Sequence, residues 1–463
     1  MKNNIKQAFQ TTAGERMAYG VFGVGMNIFF VLTQYFLQQY YLINAAVPAS
    51  MVAVVFLIVK IWDAVNDPLF GVIVDKSRFK RGKYLPWMRI ATFFLPVAAA
   101  ALFFVPDSFS AFGKAIFLLV VYMLFDAAAT MTEVPAYAVT IAMTSNPGER
   151  SQMISSAKFI GTVFALVVLV IPTMYESIGW HTTVSIFALL AMLTMLPGCF
   201  KIKERHRPAV EQTLSVKDIL RYLTKNKYLL LFFFSAILYG CTNTVGAISN
   251  LFAIYNLGGD DKIVPLLVIA TLPGIFVILA VKLLLNRFDK FHLQIAALAV
   301  TAVTSAVMYF AGYGNTALFY TLIGIRSLSM GAHTMLYFLF APDCAEYGIF
   351  KTGMHAEGAT FAIQSFASKT IGALSGAIAL FLLAAIGFQE GMLTQPQPVQ
   401  HGLWILFSAF PLIGSGLQAA ILLLFYRLRD KDVIVMSRAN NGEISREEAL
   451  ELLSKNRKGK PIL

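Results

Sequence analysis

Four polar residues, Lys60, Asp63, Asn66 and Asp67, interrupt an otherwise apolar run in the segment Lys-Ile-Trp-Asp-Ala-Val-Asn-Asp-Pro. If this run is helical, residues three and four positions apart share one face, so the oxygens of Asp63, Asn66 and Asp67 converge. Two carboxylates this close repel each other unless a cation lies between them or one of them is protonated. Oxygen ligands of this kind suit a hard cation. The alternative is a structural acid pair that is neutralised by Lys60 or by a neighbouring helix.

A second polar stripe consists of Asp126, Thr130, Glu133 and Tyr137, at positions i, i+4, i+7 and i+11 of another apolar run. Helical spacing places all four side chains on one face. Carboxylates accept hydrogen bonds from hydroxyl groups, and an aromatic ring can pack against the C–H face of a sugar, so the stripe suits a polyol ligand. Hydrogen bonding between helices is the alternative, and it fits Thr130 better than it fits the two acids.

Three further polar residues inside apolar runs are Asn27, Lys158 and Lys369. A buried amide is less costly than a buried charge, so Asn27 suits either hydrogen bonding between helices or contact with a ligand. Each lysine needs an anionic partner in such surroundings. Asp126 and Glu133 are both candidate partners of Lys158, and we expect it to pair with Glu133 in preference to Asp126, which leaves Asp126 without an obvious cationic partner. We expect Lys369 to pair with Asp63 or Asp67.

The composition indicates which solvent surrounds the elements that carry these residues. Of the 463 residues, 57% are hydrophobic and 13% are charged, whereas about 25% are charged in an average soluble domain. The mean hydropathy is +0.68. There are too few polar residues to cover the surface of a soluble protein of this length, so the sequence predicts a membrane protein.

A transmembrane helix needs roughly 20 apolar residues, and the sequence contains about twelve such runs. Six lie near 17–42, 49–74, 85–105, 115–143, 153–174 and 182–200, and six near 229–256, 263–285, 292–312, 316–341, 353–388 and 402–426. The run 353–388 is too long for one straight crossing. We therefore predict an all-α membrane protein with a six-helix bundle over 1–200, a cytoplasmic connecting loop over 201–228, a second six-helix bundle over 229–426 and a cytoplasmic tail over 427–463.

The basic residues flank the apolar runs. The formal net charge is +12, with Lys and Arg concentrated at the N-terminus, after residue 75, in 201–227 and in the tail. Positive charge on the cytoplasmic side gives this pattern, so we predict cytoplasmic termini and no nucleic-acid partner.

The three cysteines, Cys199, Cys241 and Cys344, form no CxxC pair and predict neither a disulfide framework nor a metal site. No Walker A phosphate-binding loop occurs, so no ATP hydrolysis and no cofactor are predicted.

The sequence also contains a family signature. The run Trp62-Asp63-Ala64-Val65-Asn66-Asp67-Pro68, with Gly71, Asp75, Arg81-Gly82-Lys83 and Pro86-Trp87 after it, resembles that of the glycoside–pentoside–hexuronide:cation symporters of the major facilitator superfamily. The similarity extends from about Tyr19 to Lys158. It recurs at Pro342-Asp343, at Glu346-Tyr347-Gly348 and in 357–369.

The resemblance implies the major facilitator fold, with two pseudo-symmetric six-helix bundles. It implies a site for sodium or a proton at Asp63, Asn66, Asp67 and Thr130, with Lys369 near it as a coupling residue. The sugar-binding positions depart from the family pattern. An Asp of helix one is Asn27 here, an Asp of helix four is Glu133, a Trp is Tyr137 and an Arg of helix five is Lys158. Asp126 stands where the family pattern has no acid, which suggests a role particular to this protein's substrate.

These features favour a secondary symporter for a sugar or glycoside over three other classes. A membrane-embedded enzyme needs acids or histidines at a membrane surface, whereas these acids lie within the spans. A channel commonly assembles as a symmetric ring, of which the sequence gives no sign. A cation-independent sugar facilitator is the third alternative. We expect a monomer in the bacterial cytoplasmic membrane whose partners are a sugar, a monovalent cation and lipid.

Overall fold

The computed structural model describes residues 9–456 except 78, 80–81, 145–148, 150–152, 155, 158–159, 162–163, 165–169, 206–215, 286 and 355–356. Within these ranges the regular structure is helical. The helices of the first half are α1 (Ala13–Val31), α2 (Ala49–Lys76), α3 (Leu85–Ala101), α4 (Ala111–Met143), α5 (Ile171–Ile178) and α6 (Trp180–Lys201). Those that follow are α7 (Val216–Lys225), α8 (Lys227–Thr242), α9 (Val245–Asn256), α10 (Ile263–Leu285), α11 (Lys290–Ala311), α12 (Thr316–Thr352), α13 (Glu357–Ala385), α14 (Gln397–Phe425), α15 (Asp430–Asn440) and α16 (Arg446–Asn456).

The chain divides into two compact units. The first comprises Met1–Glu211 and Leu383–Gln395, and the second comprises Gln212–Leu382 and Pro396–Leu463. The first unit contains α1 to α6, which carry all the candidate residues except Lys158, which lies outside the described residues, and Lys369.

Eight helical segments of the described chain are long and apolar enough to cross a membrane, and a shorter apolar helix, Leu85–Ala101, adds to them. One of the eight is Ala13–Asn44, in which α1 continues through the π-helical turns Leu32–Leu37 and Tyr40–Asn44. Ten of the 22 residues of the predicted span 153–174 lie outside the described residues. The count of twelve spans therefore stays a prediction, while the all-α membrane architecture is confirmed.

Two spans of the second unit differ from the prediction. The predicted helix 316–341 continues to Thr352 as α12, with Pro342 inside it. Asp343 lies in this extension, and its carboxylate accepts a hydrogen bond from Lys290 Nζ at 2.6 Å. The predicted span 229–256 is broken between α8 and α9 at Asn243 and Thr244, where the Thr244 hydroxyl donates to the carbonyl of Leu406 at 2.7 Å. At both places the chain contacts a helix that is distant in sequence.

The polar tail forms two short helices that lie against the second unit. Asn440 of α15 donates to the carboxylate of Glu346 in α12 at 2.7 Å, and Met436 is fully buried. The tail is thus part of the packed second unit.

Glu149 joins the start of α1 to the segment that follows α4. Its carboxylate accepts hydrogen bonds from the backbone N–H groups of Gln10 and Thr11, both at 3.0 Å, and from the hydroxyl groups of Thr144, at 2.7 Å, and Thr11. Glu149 lies outside the apolar spans. Burial alone would raise its pKa, but the hydrogen bonds from Thr11, Gln10 and Thr144 lower the pKa to about 2. The network fixes neighbouring ends of α1 and α4, the helices that carry Asn27 and Tyr137.

We expect Glu149→Gln to lower the free energy of unfolding by about 2 kcal/mol at pH 7, since the lost hydrogen bonds involve a charged acceptor. The folded-state pKa lies below the ordinary glutamate pKa of 4.5, so this stabilisation is complete above pH 4.5 and is lost as the pH falls toward about 2. Thermal unfolding of the purified protein at several pH values measures the difference, with Glu447→Gln, an exposed glutamate of α16, as the control. Equal melting temperatures of wild type and Glu149→Gln at pH 7 would contradict the role of the network.

Candidate functional site

The predicted cation ligands lie together where α2 faces α4. Asn66 Nδ2 of α2 donates to Thr130 Oγ1 of α4 at 2.9 Å. The Thr130 hydroxyl donates in turn to Asp67 Oδ1, also at 2.9 Å. Asp63, Asn66 and Thr130 are buried and Asp67 is partly buried. Because the spacing in α2 places its three residues on one face, packing that face against Thr130 is enough to bring the four oxygen-bearing groups together.

Asp126 belongs to the same cluster. It is buried, and it interacts electrostatically with Asp63 of α2 and Glu133 of α4. We refer to Asp63, Asn66, Asp67, Thr130 and Asp126 as the acidic cluster.

Lys60 is a cation beside the acidic cluster. Sequence analysis named it only as a possible partner of the two aspartates in its own helix. Its Nζ lies 3.9 Å from Asp63 Oδ2, and it also interacts electrostatically with Asp126 and Glu133. The expectation that Asp126 has no direct cationic partner stays a prediction, because the ion pair of Lys60 is with Asp63. Lys60 precedes Asp63 by three residues, so its pairing with Asp63 could be predicted from the sequence, but its approach to α4 depends on helix packing.

A separate cavity of about 70 Å³ lies beside Tyr137, at the C-terminal end of the same stripe. Asn27 and Tyr137 line it together with Tyr19, Gly23, Ile154 and Ala157. Tyr19 was not predicted as a site residue, although Tyr19, Gly23 and Asn27 at i, i+4 and i+8 form one stripe of α1. The cavity therefore has two phenol rings and one amide at its surface, which are groups that can contact a sugar ring and its hydroxyls.

The polar stripe of α4 is thus divided between two places. Asp126 and Thr130 belong to the acidic cluster, and Tyr137 lines the cavity. Glu133 lies between them, because it interacts electrostatically with Lys60 and Asp126 on one side and with Tyr137 on the other. Glu133 itself is not among the cavity-lining residues.

Two predicted residues stay outside this description. Lys158 is not among the described residues, so its pairing with Glu133 stays a prediction. Lys369 lies on α13 of the second unit and is partly buried. Its pairing with Asp63 or Asp67 also stays a prediction.

Close helix packing fixes the position of Asn27. Its Nδ2 donates to the carbonyl of Gly23 at 2.8 Å. A Cβ atom at Gly161 would lie 2.2 Å from that Nδ2, and a Cβ at Gly23 would lie 3.4 Å from the carbonyl of Ala157. The absence of a side chain at Gly161 therefore leaves the space that the Asn27 amide occupies.

We expect Gly161→Ala to push the Asn27 amide away from Gly23 and to raise the half-saturating sugar concentration about two- to tenfold, as the loss of one neutral hydrogen bond implies. The half-saturating cation concentration should not change, since the acidic cluster lies elsewhere. Sugar-dependent uptake into vesicles measures both values. The matched control is Gly416→Ala, because a Cβ at that helical position meets no atom within 4 Å. An unchanged sugar affinity in Gly161→Ala would argue against Asn27 as a sugar contact.

The side chains of the acidic cluster suit a monovalent cation. In the described ranges, no three His, Cys, Asp or Glu side chains are grouped in a way that could hold a metal ion. The carboxylates of Asp63 and Asp67 are combined with the amide of Asn66 and the hydroxyl of Thr130, and these four residues include no soft nitrogen or sulfur ligand. Such oxygen donors suit a hard alkali cation or a proton and not a transition metal.

A family model described as MFS/sugar transport protein matches residues 18–430. The chain belongs to this family. Members of the MFS/sugar transport family are transporters and not enzymes, which confirms the predicted class.

Several members of the family in bacteria are similar to this chain over most of its length. YagG of Escherichia coli K12, provisionally named a glycoside/cation symporter, is 25% identical over 93% of this chain and 95% of its own. The isoprimeverose transporter of Lactiplantibacillus pentosus is 24% identical over 89% of this chain and 88% of its own. The glucuronide carrier protein homolog of Escherichia coli K12 is 23% identical over 92% and 94% of the two chains.

Solved structures support the same fold for this family member. The nucleoside transporter NupG covers 90% of this chain and is itself covered completely, with a TM-score of 0.65 at 13% identity. A bacterial homolog of the human lysosomal transporter Spinster aligns over 89% of this chain and 95% of its own chain, with a TM-score of 0.63 and 11% identity. The protein therefore has the major facilitator fold, as the sequence predicted.

Proposed function

We propose that this protein is a secondary transporter that carries a sugar or glycoside together with a monovalent cation across the bacterial cytoplasmic membrane. The observation that carries the proposal is the hydrogen-bonded contact of Asn66 and Asp67 with Thr130, which gathers oxygen donors inside apolar helices. Ionisable groups at such positions are costly unless they serve transport or bind an ion. The relatives named for glycoside, isoprimeverose and glucuronide transport support a sugar or glycoside as the substrate.

Within this proposal, each ligand has its own place in the first unit. The cation binds at Asp63, Asn66, Asp67 and Thr130. The sugar contacts Asn27, Tyr137 and Glu133, with Lys158 as a further partner. Glu133 lies close to both groups, since it interacts electrostatically with Lys60 and with Tyr137. It is thus placed to let the binding of one ligand favour the binding of the other.

Coupling by alternating access requires that each ligand stabilise the state that binds its partner, and the effect is reciprocal, typically about 1–3 kcal/mol. Lys369 is the candidate coupling residue of the second unit. We further propose that the protein acts as a monomer with both termini in the cytoplasm. Labelling of single cysteines introduced near residues 10 and 456 from either side of the membrane checks the orientation, and labelling of both from outside would overturn it.

Counterflow of labelled sugars tests the proposed function. The purified protein is reconstituted into liposomes loaded with glycosides, pentosides or hexuronides, each with and without sodium and at two pH values. We expect one sugar class to exchange rapidly and the exchange to depend on sodium or on protons. Exchange that is independent of both ions would point to a facilitator in which Lys60 neutralises the acids, and no exchange of any sugar would overturn the proposal.

A further inference from the structure

The second unit contains a buried positive charge, Arg326, on the apolar part of helix α12. The residue is 2% exposed. Its Nη1 donates to the carbonyl of Phe407 in α14 at 2.9 Å, and its guanidinium carbon lies 4.8 Å from the centre of the Phe407 ring. Neither of these partners carries a negative charge. In the part of the chain that the structure describes, Arg326 therefore forms no ion pair.

The hydrogen bond to Phe407 has a structural explanation, but the charge does not. A helical carbonyl accepts from the N–H four residues later, and four residues after Phe407 stands Pro411, which has no N–H. Arg326 thus satisfies a carbonyl that α14 leaves without a partner. A neutral donor is sufficient for such a purpose, since the adjacent carbonyl of Leu406 accepts from the hydroxyl of Thr244 at 2.7 Å. The positive charge and the other four N–H groups of the guanidinium need a further partner.

The helices of the second unit supply no negative charge near Arg326. Helices α8, α9, α10, α11 and α14 contain no Asp or Glu, and the only acid of α13 is its first residue, Glu357. The acid of α12 that is nearest in sequence is Asp343, 17 residues later and about 26 Å along the helix, where it pairs with Lys290. A guanidinium is not deprotonated in proteins, and a lone charge within a membrane span is costly. The arrangement therefore calls for a negative charge from outside the chain.

Tyr239 of α8 is the second polar group at this place. It is 7% exposed and interacts electrostatically with Arg326. Its ring lies 4.6 Å, centre to centre, from that of His333, whose Nδ1 lies 2.6 Å from Nε2 of Gln294 in α11. A phenol hydroxyl can donate a hydrogen bond to an anion. The pairing of a guanidinium with a phenol suits a small negative ion and repels a cation.

We propose that Arg326 and Tyr239 hold a small inorganic anion inside the second unit, with chloride as the natural example. A monovalent anion cancels the single charge of Arg326, whereas a divalent one would leave a net negative charge in the interior. The 2% exposure of Arg326 disfavours a large organic anion. The bound ion stabilises the contact of α12 with α14 beside Pro411. The site does not depend on the proposed function, since the acidic cluster and the sugar cavity both lie in the first unit.

Thermal unfolding of the detergent-purified full-length protein tests this site. Sodium chloride is compared with sodium methanesulfonate at the same sodium concentration and pH. We expect chloride to raise the melting temperature of the wild type saturably, by at least about 2 °C. Arg326→Gln should show no such rise, although a glutamine can still donate to the Phe407 carbonyl. Tyr239→Phe should raise the half-saturating chloride concentration about tenfold, since one hydrogen bond to a charged group is lost.

The matched control is Arg89→Gln in the first unit. Arg89 also donates to a backbone carbonyl, that of Cys199, at 3.0 Å, and its replacement should leave the chloride response unchanged. Equal melting temperatures of the wild type in the two salts would overturn the proposal, as would a wild-type chloride response in Arg326→Gln. If Arg326→Gln cannot be purified, anomalous diffraction from wild-type crystals soaked in sodium bromide decides the question. The proposal requires a bromide peak beside the guanidinium, and the absence of that peak rejects it.

Discussion

Replacing Asp67 by asparagine is expected to abolish cation-driven accumulation of the sugar. The substitution removes one of two carboxylate charges from the proposed cation site and weakens the acceptor of the Thr130 hydroxyl, which lies 2.9 Å away. Asp63→Asn should have the same effect on accumulation. Exchange of sugar across the membrane should persist in part in both variants, because the cavity lined by Asn27 and Tyr137 lies apart from these residues.

The two variants differ in their effect on folding, which helps to interpret the result. Asp63→Asn leaves Lys60 without the ion-pair partner at 3.9 Å, and breaking a buried ion pair from one side costs about 3–5 kcal/mol. Since Lys60 is partly exposed, we expect a smaller loss here. Asp67→Asn keeps that ion pair intact.

Accumulation is measured as labelled sugar in vesicles under an imposed ion gradient, with Asp261→Asn, an exposed aspartate outside the cluster, as the control. Wild-type accumulation in both Asp63→Asn and Asp67→Asn would remove the basis for the cation site.

Replacing Glu133 by glutamine is expected to raise the half-saturating sugar concentration about tenfold or more, since a hydrogen bond that involves a charged group contributes roughly 1.5–3 kcal/mol. Glu133 interacts electrostatically with Tyr137, which lines the cavity. The measurement is the concentration dependence of sugar counterflow at saturating cation. Thr132→Ala is a suitable control, because the Thr132 hydroxyl donates to the carbonyl of Ala128 in its own helix. If Glu133→Gln binds sugar as tightly as wild type does, the α4 stripe is not the sugar-binding surface.

The contacts that the sequence could predict are those that follow from helical periodicity. Asp63, Asn66 and Asp67 share a face of α2 because they are three and four residues apart, and the family resemblance indicated Thr130 as their partner. The structure has both features, in the hydrogen bonds of Thr130 to Asn66 and Asp67.

The features that the sequence could not provide depend on how helices pack. The electrostatic interaction of Lys60 with Asp126 and Glu133 arises from the facing of α2 and α4. The cavity at one end of the α4 stripe likewise arises from packing, because residues of α1, Tyr19 and Asn27 among them, line it together with Tyr137. The continuation of α12 past Pro342 likewise goes with the ion pair of Asp343 and Lys290, which are 53 residues apart in sequence. Local patterns contain no information about such partners.

The most direct test of cation-coupled sugar transport is movement of the cation that the sugar itself drives. Liposomes that contain the purified protein receive the sugar identified by counterflow, with no ion gradient imposed, while dyes report internal sodium and internal pH. The account predicts that inward flow of the sugar carries sodium or protons into the wild-type vesicles and that Asp67→Asn vesicles show no such entry. Sugar entry with no movement of sodium or protons beyond that in protein-free vesicles would contradict it.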